Sequence, residues 1–399
     1  MGPPRAGARG ARGGRPACCA FVVPDRFPEQ PLDARPRGLE AVPMKEDSLG
    51  TKPMEARHRL DPRALETYLK DRIDGFAGPV TVEQFRGGQS NPTYLLSSAG
   101  GRYVLRAKPG PAAKLLPSAH AVEREFRVIT ALGRAGVPVP GTYCLCEDES
   151  VIGRAFYVMQ YVEGRVLWEQ SLPGMTREER SAVYDEMNRV IAQLHRVDYQ
   201  AAGLSDFGKP GNYFARQIAR WSRQYQASET GKIEAMDRLI AWLPENIPPG
   251  EETAVVHGDY RMDNLIFHPR EPRILAILDW ELSTLGHPLA DFSYHCMSWH
   301  IPPGEFRGIA GLDLESLGIP GEADYVASYC RRTARAGIEH WDFYLAYNLF
   351  RIAAILQGIM KRALDGIASS TEALDAGRRA RPLAELGWKY AEKAMKGTG

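Results

Sequence analysis

No stretch of this sequence approaches the roughly 20 consecutive apolar residues that a helix needs to cross a bilayer, so no membrane-spanning role is expected. Charge of one sign is missing as well: 50 Lys and Arg stand against 49 Asp and Glu, a formal charge of +1. A chain so balanced has no overall field to gather nucleic acid or an anionic membrane surface. Cysteine is sparse, with six in 399 residues. Neither Cys18-Cys19 nor Cys144-Leu145-Cys146 has the spacing of a zinc site. Nothing suggests a disulfide framework, so a reducing compartment and a cytoplasmic location are expected. No internal repeat is found. What is present is a chain with 44% apolar residues, enough to bury one large core or two lobes.

Residues 1–53 are rich in Pro, Gly and Arg and carry no helical or strand period. Arg5, Arg9, Arg12 and Arg15 precede the first acid, Asp25, the charge pattern of a mitochondrial transit peptide. The helix breakers and the late first serine, Ser48, work against a basic amphipathic helix. The segment is expected to be a disordered leader, or to lie upstream of a start at Met44 or Met54.

The chemistry-bearing stretch is Val255-Val256-His257-Gly258-Asp259-Tyr260-Arg261-Met262-Asp263-Asn264. Two apolar runs follow, Leu265–Phe267 and Ile274–Leu278, separated by a polar segment with two prolines, and they predict a hairpin of buried strands. That layout puts Asp259 and Asn264 on a tight loop and Asp279 at the far end of the hairpin. Oxygen-bearing side chains so placed suit phosphoryl transfer: one carboxylate to orient a hydroxyl, an amide and a second carboxylate to hold magnesium. His257 is either a brace for the loop or a proton carrier. Asp291 is either a cap for backbone amides or a catalytic acid.

His-Gly-Asp, four residues, Asn, then Asp279-Trp280-Glu281 and Gly286-His287-Pro288-Leu289-Ala290-Asp291 resembles the catalytic region of the aminoglycoside and choline phosphotransferase family, relatives of the protein kinases. Within it, the look is nearest to the kinase domain fused to, or encoded near, certain acyl-CoA dehydrogenases. Phe85 to Tyr94, Leu115 to His120 and Asp279-Trp280-Glu281 carry that likeness. The resemblance implies an α+β, two-lobed protein-kinase-like fold with a small antiparallel-sheet amino-terminal lobe (54–163) and a mainly helical carboxy-terminal lobe (164–399). It implies ATP and Mg²⁺ as cofactors, Asp259 as the base, and Asn264 and Asp279 as metal ligands. Ala-Pro-Glu does not occur, and the one Asp-Phe-Gly, Asp206–Gly208, precedes the His-Gly-Asp loop where a protein kinase has it after, which sets aside a protein kinase.

In the first lobe, Asp61-Pro62 reads as an N-cap with proline at the first helical position. Three strands follow, and the tip Gly87-Gly88-Gln89-Ser90-Asn91 can bring backbone amides and the Ser90 and Asn91 side chains to a phosphate. Kinases carry a phosphate-binding lysine on the third strand, paired to a helical glutamate; here Arg106 takes that place, with Lys108 on the same strand face. Glu123 and Glu125 are candidate partners, and the family pattern favours Glu125. The apolar run Phe156–Val162 resembles the hinge that meets adenine near Gln160 and Val162. Glu281 is read as a partner of the metal ligands or as a solvated acid.

Acceptor class is read from charge. From Phe292 to Gly399 there are 13 Lys and Arg against 12 Asp and Glu, without the acid surplus that a polycationic aminoglycoside calls for. Trp299, Trp341, Phe343, Tyr344, Tyr347 and Phe350 suit an apolar chain or a helix core. Arg351, Lys361 and Arg362 are candidates for a carboxylate or a CoA phosphate. The expected activity is phosphorylation of a hydroxyacyl-CoA or hydroxyacid, with a functional link to an acyl-CoA dehydrogenase. An inactive nucleotide or acyl-CoA binder and an aminoglycoside O-phosphotransferase are the alternatives.

Overall fold

Antiparallel pairing between residues 51 and 160 builds the first lobe. The computed structural model describes residues 2, 50–54, 59–86, 91–109, 121–366 and 373–397. In chain order this lobe runs β1 (Thr51–Lys52), α1 (Pro62–Lys70), β2 (Thr81–Phe85), β3 (Thr93–Ser98), β4 (Gly101–Ala107), α2 (Val122–Arg134), β5 (Thr142–Cys146) and β6 (Phe156–Gln160). The six strands form one sheet, β1-β2-β3-β4-β6-β5, with every neighbour antiparallel.

Strand alternation decides what each face receives. Leu105 and Ala107 join Tyr94, Phe156 and the Leu65 and Leu69 of α1 on one side. Val104 joins Tyr157, Met159 and the Ile129 and Leu132 of α2 on the other. Arg106 shares the parity of Val104, so it is aimed at α2. Helix α1 opens as expected, with the Asp61 carboxylate accepting from the Arg63 amide at 2.9 Å and Pro62 in the first turn. The expected leader lies outside the described residues up to 49, Gly2 excepted. Its last part departs from expectation, because Thr51–Lys52 pairs with Gln84–Phe85 and extends the sheet edge.

The second lobe contains β7 (Arg165–Val166), α3 (Arg177–His195), α4 (Tyr213–Ser228), α5 (Glu234–Glu245), β8 (Ala254–Val256), β9 (Leu265–Phe267), β10 (Ile274–Ile277), β11 (Thr284–Gly286), α6 (Pro288–Cys296), α7 (Leu314–Leu317), α8 (Glu322–Thr333), α9 (Trp341–Leu364), α10 (Ala373–Arg378) and α11 (Ala380–Gly397). The fold is therefore the two-lobed α+β arrangement expected from the sequence. The capping box that starts α3 is complete: Thr176 Oγ1 accepts from the Glu179 amide and the Glu179 carboxylate from the Thr176 amide. Two small antiparallel ladders, β10-β9-β7 and β11-β8, cross the helical lobe and carry the loop of interest between them.

Helix α9 is buried along most of its length and is 24 residues long. By length and composition it could cross a bilayer, yet 83% of its apolar window is buried inside the protein. Asp342, Asn348, Arg351 and Gln357 interrupt its apolar positions, so it holds no continuous apolar run of that length, although its mean hydropathy is high. An all-round apolar helix in a globular lobe is its core. Trp299, Phe343, Tyr344, Tyr347 and Phe350 are all part of that core, so the aromatics offered for an apolar acceptor chain are used in packing. Towards the chain end α10 and α11 are separated at Arg379.

His295 of α6 is buried with its Nε2 2.7 Å from the Tyr325 hydroxyl. Burial pushes its pKa down to about 4, against a smaller opposing pull from Asp291. The unfolded chain, with an ordinary histidine pKa of about 6.5, takes up the proton first. Stability due to this group is therefore complete above about pH 6.5 and falls as pH drops towards 4, by up to about 3 kcal/mol. Melting temperature should decline across that window, and His295→Phe should flatten the decline. An unchanged slope in the variant would remove His295 as a cause.

Candidate active site

Strand β8 delivers the chain into His257-Gly258-Asp259, and a single 3-10 turn, Met262–Asn264, returns it into β9. Gly258 is required by its backbone: φ is +83°, and a Cβ there would lie 2.8 Å from the Leu282 carbonyl oxygen. The His257 and Gly258 amides donate to the two oxygens of Asp291 at 2.7 and 2.8 Å. Asp291 also lies 3.2 Å from His195 Nε2. Burial works against its charge, yet these hydrogen bonds and the nearby His195 and His257 leave the Asp291 pKa below the usual range. Asp291 thus holds the loop from behind, while the cap of α6 is His287, whose Nδ1 accepts from the Leu289 amide.

His257 is fully buried, with Nε2 2.8 Å from the Leu278 carbonyl oxygen and Nδ1 3.1 Å from the Asp259 amide. Nε2–H donates to that carbonyl and Nδ1 accepts from that amide, so both ring nitrogens are engaged with backbone and His257 braces the loop. His195 is likewise held, between Asp291 and the Tyr329 hydroxyl at 2.7 Å.

Asp259 is presented by this frame. Asn264 Nδ2 donates to its backbone oxygen at 2.9 Å and to Oδ2 at 3.1 Å, and the Tyr294 hydroxyl donates to Oδ1 at 2.5 Å. Arg261 Nε pairs with Oδ1 at 2.9 Å. Burial, with Asp259 beside it, raises the Tyr294 pKa, so the phenol stays a donor. Asp279 sits at the end of β10 with φ 64° and ψ 64°, a left-handed conformation that Asp tolerates better than most residues. Its Oδ1 is 2.8 Å from Arg106 Nη2.

Arg106 is the centre of the electrostatics. Its Nε is 2.8 Å from Glu125 Oε2, and its Nη2 also approaches Glu281 at 3.4 Å. Burial opposes its charge, but Glu125 and Asp279 outweigh that and hold it protonated, with a raised pKa. Lys108 forms a separate pair with Glu123. The two alternatives left by the sequence thus resolve into two parallel pairs, and Arg106 is the member that lines the cleft.

Between the lobes lies a cavity of about 360 Å³. Val104, Met159, Ile266 and Ile277 give it apolar walls, Gln160 to Val162 form one rim, and Arg106, Asn264 and Asp279 lie at its polar end. Asn264 Oδ1 and Asp279 Oδ2 accept no hydrogen bond among the described residues. Two such hard oxygens at the polar end of the cleft fit a magnesium ion that draws its other ligands from phosphates and water.

Other expected residues fare differently. Gly87, Gly88 and Ser90 lie outside the described residues. Asn91 is fully buried and donates to Glu125 Oε1 at 2.7 Å, so it supports the Arg106 partner and does not face a ligand. Arg351, offered for an acceptor anion, is buried and donates to the Gly258 carbonyl at 2.7 Å. Lys361 is paired with Asp365 one helical turn on, at 2.6 Å, and Arg362 lies exposed on the same turn. These three follow their helix, and none of them lines the cleft described above. Sequence reasoning missed Arg261 and Asp263, both inside the loop motif, and Tyr294, three residues past Asp291 on α6. It also missed Arg307, for which no sequence signal existed.

The profile of the Phosphotransferase enzyme family matches residues 81–329. Acyl-CoA dehydrogenase family member 10 of Mus musculus is 47% identical over 346 residues, covering 86% of this chain and 32% of the relative. The chain thus spans about a third of that relative's length. A solved Ralstonia eutropha protein, provisionally described as an aminoglycoside phosphotransferase, is 63% identical with a TM-score of 0.78, covering 84% of this chain and 99% of the other. The aminoglycoside phosphotransferase APH(4)-Ia, solved with ADP and hygromycin B, shares the fold at 17% identity and a TM-score of 0.54, covering 82% and 98%.

Proposed function

The chain belongs to the phosphotransferase enzyme family, and we propose that it transfers the γ-phosphoryl group of ATP to the hydroxyl of a hydroxyacyl acceptor, a hydroxyacyl-CoA or hydroxyacid. The observation that carries this reading is the convergence of Asn264, Asp279 and Arg106, contributed from three places in the chain, on one end of the interlobe cleft, with Asp259 joined to Asn264 beside them.

In this reading Asp259 receives the acceptor hydroxyl, oriented by Asn264 and Tyr294. As the hydroxyl oxygen forms its bond to the γ-phosphorus, the bond to the β-phosphate oxygen breaks and ADP leaves. The hydroxyl proton passes to the Asp259 carboxylate. Arg106 stabilises the charge on the phosphates from the first lobe, as the strand lysine does in kinases. Glu125, fixed by Asn91 and the Tyr157 hydroxyl, keeps Arg106 extended. The Gln160–Val162 rim would take the adenine. Asn264 Oδ1 and Asp279 Oδ2 would hold the magnesium, which when bound supplies charge neutralisation across the β- and γ-phosphates.

Support for the acceptor is chemical. The lobe that flanks Asp259 has no acid surplus for a polycation, and a curated relative is named for acyl-CoA dehydrogenation. The test is magnesium-dependent ADP formation with a hydroxyacyl-CoA, the free hydroxyacid and kanamycin. Catalytic efficiency for a hydroxyacyl compound should exceed that for kanamycin by about tenfold or more. Preference for kanamycin would overturn the acceptor, and nucleotide binding with no turnover of any of the three would favour a binding protein.

A further inference from the structure

Beside Asp259, three side chains form a relay that runs from the cleft, which Asp263 lines, to the 302–307 loop. Arg261 spans two acids, with Nε 2.9 Å from Asp259 Oδ1 and Nη2 3.7 Å from Asp263 Oδ2. Arg307 then donates from Nη2 to that same Asp263 Oδ2 at 2.7 Å. The Asp263 side chain is 5% exposed, and its Oδ1 is buried without any partner. Arg307 is different: it is 31% exposed, and of the five N–H donors of a guanidinium this is the one in use. Its Nε and Nη1 have no acceptor among the described residues.

Arg307 reaches this position through an unusual backbone. Phe306 and Arg307 are consecutive non-glycine residues with φ of 33° and 61°. Left-handed backbone at such residues is unfavourable and gathers at ligand clamps. The recess between Arg307, Arg261 and Tyr294 holds about 20 Å³, room for about one oxygen-sized group. It borders two of the residues that touch the Asp259 carboxylate, Arg261 and Tyr294.

We infer that Arg307, aimed by Asp263, binds the acyl oxygen of the acceptor and so selects molecules that carry a carboxylate or thioester carbonyl near the reacting hydroxyl. This rests on the phosphotransfer reading above and adds to it the residue that decides acceptor class. One Nη2–H bond to Asp263 fixes the guanidinium plane, and the remaining donors meet a planar oxygen group in the geometry Arg favours. The acyl chain would lie outside the recess along the 302–307 loop, with its hydroxyl at Asp259. The bland alternative is a latch in which the Asp263–Arg307 pair merely pins that loop.

The experiment compares three acceptors of one carbon skeleton: the hydroxyacid, its CoA thioester, and the diol in which the acyl carbon is reduced to an alcohol. Wild type, Arg307→Met and Arg307→Lys are assayed for ADP formation, with melting temperature and nucleotide affinity recorded for each. In Arg307→Met the preference for acyl acceptor over diol should fall about tenfold or more, chiefly through KM, and Arg307→Lys should recover part of it. Loss confined to the free acid identifies a carboxylate as the bound group, and loss for the thioester too identifies the carbonyl. An equal loss for diol and acyl compounds, or no loss, overturns the inference and leaves the latch. If wild type turns over none of the three, the proposed function itself has failed, which is a different outcome.

Discussion

Asp259→Asn lowers turnover by about 100-fold or more, because a positioned general base contributes roughly 10²–10⁴, and leaves the fold and nucleotide affinity near wild type. An asparagine can still accept the Tyr294 hydroxyl bond now made to Oδ1 at 2.5 Å. The loop stays closed through Asn264 and the backbone oxygen of residue 259 at 2.9 Å. What is lost is the place where the acceptor proton goes. Single-turnover measurement with saturating nucleotide checks this directly, and near-wild-type turnover would remove Asp259 from the chemistry.

The second large effect belongs to a residue behind the site. Asp291→Ala is expected to destabilise the protein by about 3–5 kcal/mol, since truncating one partner of a buried network leaves its donors unpaired. The stranded groups are the amides of His257 and Gly258, at 2.7 and 2.8 Å from the carboxylate, and His195 Nε2 at 3.2 Å. Those two amides set the direction in which the loop leaves β8, so turnover falls along with stability. Denaturant unfolding separates the two variants: the midpoint moves for Asp291→Ala and stays for Asp259→Asn. A wild-type midpoint for Asp291→Ala would show that water replaces the carboxylate in the loop frame.

Much of the site was legible because its central part is local. Asp259, Asn264 and Asp279 fall within 21 residues, the apolar runs between them force a hairpin, and β9 and β10 pair as that pattern requires. Strand parity alone aimed Arg106 at α2 and the cleft. The Asp61-Pro62 start of α1 was readable for the same reason, since a cap depends on side chains within a turn of the backbone groups they satisfy.

The sequence by itself determined the main helices and strands and the loop that carries Asp259 and Asn264, because hydrophobic period and turn chemistry act over a few residues, while the two lobes were implied by the family resemblance. The tertiary structure alone decided which charged groups meet. Lys108 pairs with Glu123 and leaves Arg106 to line the cleft, Asn91 turns inward to Glu125, and Arg351 supports Gly258 from the core instead of facing an acceptor. Arg307 reaches Asp263 across 44 residues of chain. Pairings of this kind depend on how helices seat against one another and on the burial that follows. A lone arginine in a helical stripe reads the same whether packing turns it towards solvent, a ligand or a backbone carbonyl.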